Sequence, residues 1–349
     1  MINQNKSVKT FMKVFAVAAG ALVLFAGIGL LIATNAIRPP AVPTIPLPST
    51  SSQEESEYLP TSSCDNLLPP SPPQFEERRP NFFTFVIFGL TEGMNANTIM
   101  VAAYDAETRQ GYIISIPRDT RVDVERNNRK IVAAYPVGRL GGRGHEGGVE
   151  RMKYEVQTLV GFRPDFYISV DYEAFVRMVD AVGGVEIYVP FRMFYNDIYQ
   201  NLFIDLQAGL QVLNGHDALL FSRYRTGTPG ISPTISDYQR IEHQQQVLAA
   251  VMRELLTPAS ILRIPEFISI FNSYVDSDLS SGELLWFANQ SRVIGGLDAI
   301  NLYTLPMTGT SGPPRWYELA DEEGILELVN RTINPLERDI TSNDLRIAQ

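Results

Sequence analysis

Three short clusters of arginine with acidic or amide residues offer this chain its chemistry. The first is IPRDT, in which Arg118 and Asp119 follow a strand-like run. Open α/β sheets place ligands beyond strand ends, so Arg118 there suits a phosphate. The same Arg-Asp pair would equally serve as a surface ion pair on a turn. The second is FSRYR, where Arg223 and Arg225, two apart, would point the same way from an extended segment. Two guanidiniums on one side repel unless an anion lies between them, and planar forks suit pyrophosphate; independent surface ion pairs are the plainer account. The third is SDYQRIEHQQQ, where Asp237, Arg240 and Gln244 share one helix face, and Asp237 stands where it would also cap the helix. On its own that stripe also fits a solvated helix surface.

The elements that must position these clusters follow from apolar periodicity. NFFTFVIFGL from Phe82 reads as a buried strand closed by Gly89. Thr98–Tyr104 and Gly111–Ile116 read as a hairpin across a turn-like segment. A helix over Gly147–Val160, a strand over Asp165–Val170, a helix over Tyr172–Val182 ending at Gly183-Gly184, and the strand VEIYV give an α/β layer structure. Further helices are expected at Gly215–Phe221, Ser236–Leu256, Ala259–Tyr274, Ser281–Ile294 and Asp321–Ile333, with one strand, Ile300–Leu305, among them. On the long helix, Ile241, Leu248, Met252 and Leu255 supply the core face opposite the polar triad.

The chain divides into five parts. Residues 1–13 form a short segment, and Val14–Ala33 are 20 uncharged, mostly apolar residues, long enough as a helix to span a hydrocarbon core. Lys6, Lys9 and Lys13 all precede this run, so the positive-inside rule places the N-terminus in the cytoplasm and the rest outside. A cleaved signal peptide is the competing reading, with only a weak cleavage pattern around Thr34–Ala36. Residues 34–80 are a Pro/Ser-rich linker without helical or alternating period. Residues 81–334 make the globular domain, and 335–349 a tail.

Charge and cysteine usage exclude several classes. The net charge is −10, and the first 33 residues carry three lysines and no acid, so the body is more acidic still. Such a body repels nucleic-acid phosphates unless its basic residues form one patch. Cys64, the only cysteine, lies in the linker and permits neither an internal disulfide nor a zinc site. His145, His216 and His243 accompany no nucleophile-elbow motif, and no carboxylate pair suited to glycoside hydrolysis is identifiable.

Taken in order, TIMVAAYDAETRQGYIISIPRDT, RKIVAAYPVGR, GGVERMKYEVQTLVGFRPDFYISVDYEAFVRMVDAVGGVEIYVP, GLQVLNGHDALLFSRYR, SDYQRIEHQQQVL and YTLPMTGT resemble the LytR-CpsA-Psr family. The likeness runs from about Phe82 to Ile333. It implies a central, mostly antiparallel or mixed β-sheet flanked by helices in three α-β-α layers. It also implies a membrane-tethered phosphotransferase, using no nucleotide, that moves an anionic glycopolymer from a polyprenyl pyrophosphate carrier to a cell-wall sugar, usually in peptidoglycan. Carried over by position, Arg118, Arg223, Arg225, Arg240 and Gln244 resemble the pyrophosphate cradle. Arg118, Asp119 and Asp237 take the catalytic roles, with Asp237 the candidate base, and the lipid tail enters an apolar tunnel.

The sequence departs from the family pattern where carboxylates normally help hold Mg2+: those positions read Thr91 and Asn97. Neutral ligands hold a hard cation more weakly. His243 stands where a second helix arginine is common. Two readings stay open, a transferase with a weakened Mg2+ site and a non-catalytic relative that binds the lipid-linked polymer.

Overall fold

The run FFTFVIFGL is apolar at alternate and intervening positions alike, as a strand covered on both faces must be, and it forms the central strand β1 (Phe82–Leu90). In the computed structural model, which describes residues 39–41, 78–91, 94–199, 201–255, 257, 264–290, 297–313 and 315–348, β1 pairs antiparallel with β2 (Ala96–Asp105), which pairs antiparallel with β3 (Gln110–Ser115). On its other side β1 runs parallel to β4 (Phe166–Val170). The short β9 (Asp276–Ser277) and β10 (Ile300–Thr304) complete a mixed sheet of order β10-β3-β2-β1-β4-β9.

Alternate residues of β1 serve two cores. Phe82, Val86 and Phe88 pack with Met152, Val156 and Leu159 of α2 (Gly144–Val160) and with Ile325 and Val329 of α8 (Glu322–Thr332). Phe83 and Phe85 face the other way, toward Trp286 of α7 (Ser281–Gln290) and toward Leu248 and Met252 of α5 (Asp237–Leu255). The sheet thus lies between helix layers, as the family resemblance implies. Residues 335–348, expected as a tail, add Ile340 and Leu345 to the first core.

A third core lies beside the sheet. There β5 (Val185–Val189) pairs with β8 (Gly209–Leu213), and β6 (Met193–Asp197) with β7 (Leu202–Leu206). Their inward side chains pack with α3 (Tyr172–Ala181), α4 (Gly215–Arg223) and α5. Periodicity anticipates β5 and the helices but not β6, β7 and β8, nor the ribbon of β11 (Met307–Thr310) and β12 (Glu318–Ala320). The remaining helices are the short α1 (Ala134–Gly138) and α6 (Ile264–Tyr274).

The apolar run 14–33, most of the linker 34–80 and Cys64 lie outside the described residues. Among the described residues no helix is long and apolar enough to cross a membrane.

Candidate functional site

Because β1, β3 and β4 all run the same way, their carboxyl ends and the start of β2 meet at one edge of the sheet, where ligands of such sheets bind. Beyond β3 the chain turns through Pro117 and presents Arg118, whose Nη1 donates to Asn97 Oδ1 of β2 at 3.3 Å. Opposite stands the N-terminus of α5, a site of partial positive charge. Its cap is Ser236 rather than Asp237: Gln239 N donates to Ser236 Oγ at 3.2 Å, and Gln239 Oε1 accepts from Ser236 N at 3.0 Å. This reciprocal capping box leaves the Asp237 carboxylate for other work.

That work is to hold arginines. Asp237 Oδ1 lies 2.8 Å from Arg240 Nη2, 3.7 Å from Arg118 Nε and 3.8 Å from Arg225 Nε. These are ion pairs rather than aligned hydrogen bonds, since Asp237 Oδ1, Arg118 Nε and Arg240 Nε are buried without a hydrogen-bond partner. Buried donors and acceptors left unmade cost about 1–3 kcal/mol each, so such a set weakens the fold rather than stabilising it. Arg240 is 6% exposed, and burial, with Arg118 as the next cause, pulls its guanidinium down to about 10, still charged at neutral pH.

Arg223 and Arg225 reach the same mouth by a different route from the one expected. Arg223 is the last residue of α4, and Tyr224 leaves the helix, so the pair does not lie on an extended segment. Tyr224 is fully buried and its hydroxyl donates to Pro233 O, which fixes the exit. Arg223 lies over the Tyr172 ring, 4.5 Å from its centroid, and both arginines line the cavity. Gln244 lines it as well, its amide donating to Ser222 O at 3.4 Å.

Behind the arginines a cavity of about 870 Å3 runs between the sheet and helices α3 to α6. Its polar mouth includes Thr91, Asn97 and the four arginines, whereas Ile87, Met178, Leu219, Leu248, Val251 and Phe271 make the interior apolar. Sequence reasoning misses these inner residues because an apolar wall around a cavity has the same periodicity as a packed core. It also misses Gln245, which ties α5 to the sheet by donating to Ser115 Oγ at 3.0 Å and Tyr303 O at 2.9 Å.

Asp119 does not join the mouth. It turns to Lys130, 3.0 Å away, and lines no part of the cavity. His243 is buried against Phe221, ring centroids 4.5 Å apart, and burial pushes its imidazole down to about 4, so it is neutral. At the two positions where the family resemblance implies Mg2+ ligands, Thr91 is neutral and the oxygen of Asn97 is engaged by Arg118. That donor set does not fit a resident Mg2+, and the positive charge at the mouth is that of the arginines.

Fold and site together define an α/β protein with a cationic mouth over an apolar cavity. The LytR_cpsA_psr family model matches residues 78–333, and the chain belongs to that family. It is 26% identical over 246 residues, 68% of this chain and 59% of the relative, to polyisoprenyl-teichoic acid–peptidoglycan teichoic acid transferase TagV of Bacillus subtilis (strain 168). It is 27% identical over 214 residues, 60% of this chain and 59% of the relative, to regulatory protein MsrR of Staphylococcus aureus (strain COL). The match thus spans about three fifths of these relatives' length. The crystal structure of B. subtilis TagV superposes with a TM-score of 0.59 at 22% identity, covering 78% of this chain and 100% of that one, a likeness of fold.

Proposed function

We propose that this protein transfers an anionic glycopolymer from a polyprenyl pyrophosphate carrier to a peptidoglycan sugar. The observation that carries the reading is a single cavity with two chemistries, guanidiniums at the mouth and an apolar interior behind them. A lipid pyrophosphate has the same two parts in the same order. Burying about ten methylenes of its tail would contribute about 8 kcal/mol, so the arginines need only fix the headgroup. The name of TagV, a transferase of teichoic acid from a polyisoprenyl carrier to peptidoglycan, supports the reading at the level of the family.

In the proposed reaction an acceptor hydroxyl oxygen bonds to the phosphorus that carries the polymer. The bond from that phosphorus to the bridging oxygen breaks, and polyprenyl phosphate leaves with the electron pair. Arg118, Arg223, Arg225 and Arg240 stabilise the charge spread over the phosphoryl oxygens. Asp237 accepts the hydroxyl proton and keeps the arginines from repelling one another, while Gln244 orients the headgroup and Asp119, through Lys130, steadies the Arg118 turn. The run 14–33 anchors the chain as a single membrane span, N-terminus in the cytoplasm, holding the domain outside on the 34–80 linker.

Neutral Thr91 and Asn97 favour a second reading, a relative that binds the lipid-linked polymer without turnover. The full chain in detergent, given a synthetic polyprenyl pyrophosphate sugar and a peptidoglycan acceptor, with Mg2+ and with chelator, separates the two. Release of polyprenyl phosphate that needs acceptor and falls at least about 100-fold in Arg118→Ala establishes the transferase. Binding without release selects the binder, and no binding removes both.

A further inference from the structure

Beside the mouth lies a rim whose side chains line no part of the cavity. Glu318 of β12 is joined to the turn after Arg118 by its backbone: its N–H donates to Asp119 O at 3.0 Å and its carbonyl accepts from Arg121 N at 2.9 Å. Its carboxylate accepts from the Tyr238 hydroxyl at 3.0 Å, and Tyr238 is the neighbour of Asp237 on α5. Glu318 is therefore tied to the residues beside both halves of the arginine cradle. Burial raises its carboxyl above the ordinary range, with Asp119 and Asp237 adding to the effect and Tyr238 and Lys130 opposing it. Burial, then Glu318, pushes the Tyr238 phenol up to about 12, so it stays a donor.

Half-open aromatic surface adjoins this carboxylate at Tyr238. Trp316 is 60% exposed and Tyr238 40% exposed. Trp316 lies two residues before Glu318, on the segment that leads into β12. The segment is held in place: Arg315 Nη1 donates to Asn127 O at 2.7 Å, Ser311 N to Tyr317 O at 2.9 Å, and Arg121 lies 5.8 Å from the Tyr317 ring centroid. None of Tyr238, Trp316 and Glu318 lines the lipid cavity.

Open aromatic faces beside a carboxylate recognise a sugar ring, whose C–H face stacks and whose hydroxyls donate. The carboxylates Glu318 and Asp119 also disfavour an anionic ligand, which separates this rim from the arginines that suit phosphate. We propose that Tyr238, Trp316 and Glu318 form the acceptor subsite, where an undecorated peptidoglycan glycan lies with one ring on Trp316 and a hydroxyl on the Glu318 carboxylate. This rests on the transfer reading for its place in the reaction: the bound sugar's free hydroxyl then meets the phosphorus held by the arginines, and its proton passes to Asp237.

Calorimetric titration of the full chain in detergent with defined peptidoglycan oligosaccharides tests it, beside a parallel titration with a polyprenyl pyrophosphate sugar. Trp316→Ala and Glu318→Gln are expected to weaken glycan binding at least about tenfold, and Tyr238→Phe less, with donor affinity unchanged. Arg118→Ala should do the reverse. Glycan affinity that survives both Trp316→Ala and Glu318→Gln overturns the subsite, whatever the donor does. Glycan binding that needs Trp316 in a wild-type protein that binds no donor keeps the glycan site and removes the transfer reading instead.

Discussion

Asp237 contacts Arg240, Arg118 and Arg225 at 2.8 to 3.8 Å, so its charge holds the site together. An asparagine in its place leaves the convergent guanidiniums without an anion. Arg225 is half exposed and will swing into water, but Arg240 is buried and cannot. Asp237→Asn should therefore cost about 3 kcal/mol of stability, the lower end for breaking a buried ion pair. Inorganic pyrophosphate should return most of that loss, because it supplies the missing charge, yet under the proposed transfer the variant should release no polyprenyl phosphate, for want of a proton acceptor. Thermal melts of wild type and variant with and without pyrophosphate check this; equal stabilisation of both would mean that the arginines are not an anion cradle. At this scale the arginines were legible in the sequence because their type and spacing are unusual. The turning of Asp119 to Lys130 and the capping by Ser236 were not, since each depends on which neighbour a side chain finds after folding.

Helices α4 and α5 meet where His243 packs on Phe221, and the contact depends on a neutral imidazole. The folded value of about 4 lies below the ordinary 6.5, so protons bind the unfolded chain more readily. The contribution is fully present above pH 6.5 and is lost as pH falls through about 4. Between neutrality and about pH 5 this amounts to roughly 2 kcal/mol. His243→Leu should flatten that slope, and urea midpoints measured across the range read it out; an unchanged slope would mean that other groups carry the acid sensitivity. The main sheet and its helices were legible because both faces of β1 are apolar and α2, α3 and α5 keep helical spacing. The β6–β7 ribbon was not. Leu202, Ile204 and Leu206 alternate inward, but exposed Phe203 between them hides the period, and only the third core decides which side is in.

The cavity exists because two packed bodies, the sheet with its second core and the α3–α4–ribbon core, approach without filling the space between them. No periodicity reports such a gap, since the residues on its wall and those in a solid core are chemically alike. If the gap receives a lipid tail, affinity for prenyl phosphates should rise with chain length by up to about 0.8 kcal/mol per buried methylene and then level off once the cavity is full. Met178→Trp fills part of the interior from α3 without touching the arginines. Its affinity curve should level off at a shorter chain than the wild type's, whereas binding of inorganic pyrophosphate stays the same. Competition by prenyl phosphates of increasing length gives both curves. Affinity indifferent to length in the wild type would place the tail elsewhere, and a pyrophosphate affinity that fell with Met178→Trp would mean that the substitution had distorted the mouth rather than shortened the tunnel.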